Sequence, residues 1–221
     1  MRIAPLVAVA MLLAGCSEGV DGQARPETNT QSGSVQTPAT TSPSSRPPAA
    51  AAPVAEVIRW IEAGKEVAAD GFHTVSREGA ATDLGDGTAF VTPSGTAKCM
   101  TDRRAEGALT CLVSLSAPPP PAAEVYGEWK GGWVDYPGPT LTVGSAHSDP
   151  GPFSDGFGAE LPEGQALRFG DYRCRTDAGG VFCVNYAHQS AVKLSDAGVD
   201  AFGCLQPVSP PPADVGARFS C

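Results

Sequence analysis

Six of the seven cysteines fall between residues 99 and 221, and four of them sit in two echoes of one pattern. The first runs Cys99-Met100-Thr101-Asp102, then Gly107 to Cys111. The second runs Cys174-Arg175-Thr176-Asp177, then Gly179 to Cys183. Each is C-x-T-D, a turn, and G-x-x-x-C. Asp and Gly supply turn chemistry between flanks that read as strands. Opposed arms of a hairpin lie about 5.5 Å apart, within disulfide reach. The echo therefore predicts Cys99–Cys111 and Cys174–Cys183, leaving Cys204–Cys221 to close the C-terminal end. Neither echo has the C-x2–4-C spacing of a zinc site, and zinc thiolates are uncommon where disulfides form. No metal and no cofactor are expected.

Glycine (26) and proline (21) together make 47 of 221 residues, about a fifth against a usual ~12%. That load excludes a long helical bundle. Val54, Val57, Ile58 and Ile61 recur at helical spacing, with Pro53 suited to position N1 and Gly64 to a stop. Beyond them the chain reads as short strands at Phe72–Val75, Thr88–Thr92, Leu109–Leu115, Trp133–Tyr136, Thr140–Val143, Gln165–Phe169, Val181–Asn185 and Ala191–Leu194. Turn clusters such as Gly85-Asp86-Gly87 and Gly179-Gly180 separate them. A second helix is expected near Ser195–Phe202. The expected fold is mainly β within the α+β class: a small antiparallel β domain with disulfide-stapled hairpins and one amphipathic N-terminal helix.

The N-terminus reads as an address. Ile3 to Ala14 is an apolar run behind Arg2, shorter than the ~20 residues of a spanning helix and suited to a signal-peptide h-region. Leu13-Ala14-Gly15-Cys16 resembles the bacterial lipobox, which implies cleavage after Gly15 and diacylglycerol on Cys16, often with a third, amide-linked chain such as palmitate. Two or more acyl chains hold a protein on a membrane stably. The expected location is the extracytoplasmic face of the cell membrane. Ser17 to Pro53 is rich in Ser, Thr, Pro and Ala with no aromatic residue, and such a stretch buries too little to fold. The organisation expected is signal peptide 1–15, lipidated N-terminus and disordered tether 16–53, and one body 54–221. The tether would average roughly 33 Å end to end as a flexible coil; its Ser, Thr and Pro also fit an O-glycosylated stalk.

Phe90-Val91-Thr92-Pro93-Ser94-Gly95-Thr96-Ala97-Lys98-Cys99 resembles the F-x-[ST]-P-S-G-N-x-x-C opening of a domain of unknown function in secreted actinobacterial proteins, with Thr96 in place of the usual asparagine. Leu167 to Asn185 resembles that domain's second half. Over its length, including YGEWKGGWVDY and FGDYRCR…FCVNYAH, the chain is similar to LppI-like mycobacterial lipoproteins. The resemblance implies an envelope lipoprotein and brings no activity or catalytic residues.

Tyr126, Trp129, Trp133 and Tyr136 crowd into eleven residues. Exposed, they would form a platform for sugar or lipid; buried, they are core. A turn at Gly131-Gly132 would set Trp129 and Trp133 on one face of a hairpin. Glu124, Glu128, Asp135 and Asp149 flank the rings, as a glycosidase would require of two carboxyls. A serine hydrolase would use His188 with Ser190 or Ser94, but no G-x-S-x-G elbow is present. His147 reads as a loop residue, and Pro118–Pro121 as a spacer between two halves. A net charge of −9 argues against nucleic acid as a partner. The expected function is a non-enzymatic envelope module binding glycan, lipid or another protein. The alternatives are an envelope hydrolase acting on glycan or ester, and a structural spacer.

Overall fold

The structure, a computed structural model, describes residues 46–122 and 125–221, all within one compact unit spanning Thr41–Cys221. The signal peptide, Cys16, most of the tether and Glu124 lie outside the described residues. The first element is α1 (Val54–Glu62), followed by β1 (Lys65–Glu66), β2 (Thr74–Arg77), β3 (Ala80–Asp83), β4 (Ala89–Val91), β5 (Ala97–Asp102) and β6 (Ala108–Val113). Then come β7 (Glu128–Tyr136), β8 (Thr140–His147), β9 (Ala159–Glu160), β10 (Gln165–Phe169) and β11 (Tyr172–Asp177). The last are β12 (Gly180–Asn185), β13 (Ser190–Ser195), β14 (Gly198–Gly203), β15 (Gln206–Pro207) and β16 (Val215–Ser220).

These strands make two open sheets and a separate β2–β3 hairpin. One sheet runs β1-β10-β11-β12-β13-β14, the other β15-β16-β8-β7-β6-β5-β4-β9. Pairing is antiparallel except at β1–β10 and β4–β9. The inner faces share one core in which Phe90, Leu109, Val134 and Leu141 meet Leu167, Val181, Val192 and Leu194. Among the described residues the fold is mainly β with one α-helix, as the strand spacing predicts.

The two echoes occupy equivalent places. Cys99 faces Cys111 across β5–β6 and Cys174 faces Cys183 across β11–β12, with Cα–Cα distances of 4.1 and 4.0 Å. Both are closer than the sequence argument assumed, because non-hydrogen-bonded antiparallel pairs approach to about 4.5 Å. One staple therefore stands on each sheet, and both are buried in the shared core. Cys204–Cys221 ties the end of β16 to the residue after β14.

Helix α1 covers the outer face of the first sheet, packing Val57, Trp60 and Ile61 on Phe182, Val184, Ala191 and Phe202. Its buried arc includes Trp60, whereas Ile58 is only half-buried. Pro53 precedes the helix instead of opening it. The outer face of the second sheet buries Met100 and Trp133 beneath Val75 of the β2–β3 hairpin and Phe153 of a short 3-10 turn.

Four local expectations are corrected. Ser195–Phe202 is not a helix: Gly198–Gly203 is strand β14, with alternate residues committed to core and helix. Phe72 ends a 3-10 turn, and the strand starts only at Thr74. Gly131-Gly132 is no hairpin turn but a bulge inside β7, where pairing jumps from Lys130↔Ser145 to Val134↔Val143. Pro118–Pro121 does not join two halves; it links β6 to β7, neighbours in one sheet.

That proline run lies flat on the sheet. The Trp129 Nε1–H donates to the Pro119 carbonyl at 3.2 Å. Beneath it are Gly131, Gly144 and Gly216, one each from β7, β8 and β16. A Cβ on Gly131 would stand 2.7 Å from Pro118 Cβ; on Gly144, 2.8 Å from Pro119 Cγ; on Gly216, 2.6 Å from Pro119 Cβ. Glycine is required here because a backbone crosses the strands within contact distance.

Candidate functional site

The eleven-residue aromatic run divides between core and surface. Trp133 and Tyr136 are buried, Trp129 is half-buried beneath the proline run, and Tyr126 is 93% exposed. They make no common platform. Trp133 is fixed on three sides. Its Nε1–H donates to the Asp135 carboxylate at 3.0 Å, its ring stacks on His147 at 3.6 Å, and Phe153 meets it edge-on at 5.5 Å. Asp135 also accepts from Thr110 Oγ1 at 2.9 Å.

Tyr136 and Tyr172 are reciprocal ties between the sheets. Ser190 Oγ–H donates to the Gly138 carbonyl at 2.7 Å, so the Tyr136 hydroxyl donates to Ser190 Oγ at 2.8 Å. Tyr172 on the opposite sheet donates to the Tyr136 carbonyl at 2.7 Å. Burial pushes both phenols above their ordinary pKa. Both are therefore neutral donors at neutral pH.

The expected hydrolytic groups are occupied elsewhere. Ser190 is buried in the tyrosine tie, and Ser94 donates to Thr96 Oγ1 at 2.8 Å within its turn. His188 is held by Asn185 Oδ1 at 3.0 Å. Glu128 pairs with Lys130 on the surface, Asp135 holds Trp133, and Asp149 accepts from Gly151 N–H. None of these three carboxylates lines either large cleft. His147 ends strand β8 instead of lying in a loop, and Ser145 Oγ meets its Nε2 at 2.8 Å. Among the described residues no carboxylate hydrogen-bonds that imidazole. Burial lowers its pKa, partly offset by the Asp135 charge.

A different set converges at one end of the sandwich. The Leu84–Thr88 segment entering β4, the β5–β6 connection through Arg103 to Gly107, and the β10–β11 tip Phe169–Tyr172 enclose an open cleft of about 630 Å3. Gly85, Gly107 and Gly170 take φ of +57°, +79° and +48° at these tips, which L side chains resist. Phe169 and Tyr172, stacked at 5.6 Å, lie in the cleft wall. Arg103, Asp86, Glu106 and Asp171 are exposed around it. Thr88, only 1% exposed, lies in its wall, and its Oγ1 has no hydrogen-bond partner.

Comparison with known proteins gives nothing to lean on. No protein-family model, curated protein or solved structure matches this chain. Geometry alone must carry the function.

The cleft combines donors, acceptors and an apolar wall: one guanidinium, three carboxylates and two aromatic residues. Sites of this kind orient a ligand by a few polar groups over an apolar surface. Among the described residues no group of three or more His, Cys, Asp or Glu is placed to hold a metal ion, and no helix is long and apolar enough to cross a membrane. In the sequence, Gly85-Asp86-Gly87 reads only as a turn and Phe169-Gly170-Asp171-Tyr172 only as part of a motif. The available signal was positional: successive antiparallel hairpins return their tips to the same ends of a sheet.

Proposed function

We propose that this chain is a lipid-anchored, extracytoplasmic envelope protein whose folded body is a non-enzymatic module binding glycan at the loop-end cleft. The observation that carries the glycan reading is the open cleft of about 630 Å3 ringed by Arg103, Asp86, Glu106 and Asp171, with Phe169 and Tyr172 in its wall. Three carboxylates to one guanidinium disfavour an anion; a neutral polyol, which both donates and accepts, suits the mixture. Lipid carriage is less favoured, because both large clefts are open and carry polar groups in their walls.

Anchoring is supported by the lipobox-like Leu13-Ala14-Gly15-Cys16 behind its short apolar run. Three disulfides fit an oxidising compartment. The glycan reading is tested on an array of neutral, amino and acidic saccharides, with hits measured by calorimetry on the full chain and on Arg103→Ala. Saturable binding of a neutral or amino saccharide, weakened at least tenfold by Arg103→Ala, supports it. Binding unaffected by that change, or no saccharide bound at millimolar concentration, overturns it.

A further inference from the structure

Away from the loop-end cleft, the sandwich is one strand short along one side. β14 ends the first sheet and β15 the second. Between them opens a cleft of about 860 Å3 lined by Val199 to Gly203 and by Leu205, Gln206, Pro207 and Phe219, with Ala51 to Val54 and the His188-Gln189 pair also on its lining. Val199, Ala201 and Phe219 pack against the shared core yet remain partly exposed.

β14 is unlike the other sheet ends. β1, β9 and β15 have two residues each, whereas β14 has six, paired with β13 from Ser195↔Gly198 to Ser190↔Gly203 without a bulge. Proteins ordinarily blunt an edge by shortness, lysine, proline or a bulge. β14 has none of these, and Asp200 is its single charge. In a hairpin closed at Ser195–Gly198, alternate pairs exchange both backbone bonds. Val199, Ala201 and Gly203 therefore turn their N–H and C=O groups away from β13, toward the cleft.

We propose that this seam accepts an extended peptide segment from another polypeptide, which pairs with β14 and completes the sandwich. Main-chain bonds to an exposed edge, with alternate side chains in adjoining pockets, are an established mode of peptide recognition. Side chains at every second position of the segment enter the seam among Val199, Ala201 and Phe219, so those positions are small and apolar. The lining holds one carboxylate, Asp200, with no Lys or Arg, and the chain carries a net charge of −9. The segment is accordingly neutral or basic. A second copy joined edge to edge is disfavoured: Phe202 is buried against α1, Val199 and Ala201 face their own core, and neither set would fill the seam.

The C-terminus offers a direct test. Cys221 is bonded to Cys204 beside Gly203, so a strand appended through a short Gly-Ser linker sets out antiparallel to β14. Tethering makes the encounter intramolecular, at millimolar effective concentration. The probe is the full chain extended by Val-Thr-Val-Lys-Val, with a control carrying proline at the third and fifth of those positions, where the N–H would face β14. Amide exchange at Val199, Ala201 and Gly203 should slow at least tenfold with the probe and stay unchanged with the control. Unchanged exchange with the probe, or equal protection by the control, overturns the proposal. Concentration-dependent protection of the same amides in the unextended chain would assign the edge to a second copy and overturn it equally.

Discussion

Replacing Gly216 by alanine isolates the contact between the proline run and the sheet beneath it. Gly216 does not occupy the left-handed region, so its backbone accepts alanine, and the added Cβ is the whole perturbation. That atom would stand 2.6 and 2.7 Å from Pro119 Cβ and Cγ and 3.0 Å from the Val143 carbonyl. Pro119 must therefore lift, straining the Trp129 bond to its carbonyl. Overpacking of this size costs ~1–3 kcal/mol, while Gly→Ala at a compatible backbone gains ~0.4–1 kcal/mol through the unfolded chain. The net is a loss of about 1–2 kcal/mol, or a fall in Tm of roughly 2–8 °C for a chain of this size. Urea unfolding with disulfides intact measures it. Pro119→Gly removes both clashing atoms, so in that background Gly216→Ala should no longer destabilise and should gain up to ~0.4–1 kcal/mol, giving a coupling of about 1–3 kcal/mol, the overpacking itself. Equal cost in both backgrounds, or a raised Tm in the parent, would refute the strap contact.

Three further outcomes follow from the same geometry. Tyr136→Phe removes the donor to Ser190 and should cost about 1–2 kcal/mol in urea unfolding; an unchanged midpoint would show that the tie contributes nothing. Burial depresses the His147 pKa, so as pH falls the unfolded chain takes up the proton first. Stability contributed by the neutral ring is complete above about pH 6.5 and declines below it; Tm measured from pH 8 to 5 should show that decline, and His147→Gln should reduce it. Cys16→Ser should move the chain from membrane to soluble fraction with Tm unchanged, whereas full retention in the membrane would remove Cys16 as the anchor.

Much of the sheet framework was legible because its signals are local. A Cys, Thr-Asp turn and Gly-x-x-x-Cys lie within one hairpin, and the strand period of two brings Cys99 opposite Cys111 without long-range information. Where the chain was misread, a distant partner decided. Gly198–Gly203 resembles a helix end until Phe202 meets α1 and Ala201 meets the core. Gly131-Gly132 resembles a turn until Gly132 is seen against the Val113 carbonyl and Gly131 beneath Pro118. The aromatic run was legible as dense burial, but not which rings would be buried. That depended on Asp135 and His147 closing around Trp133, and on Ser190 reaching Tyr136 from the other sheet. The loop-end cleft was the least legible feature, since Thr88, Arg103 and Asp171 share it only through topology.

Asp171→Ala tests the central claim most directly, because the side chain is exposed at the β10–β11 tip and its loss changes the cleft without touching the core. The account predicts a Tm equal to that of the parent, with affinity for the array-identified saccharide reduced about tenfold or more, which corresponds to ~1.4 kcal/mol. Unchanged affinity would mean that the ligand does not use the polar rim of the cleft, and the cleft would lose its claim to be the binding site.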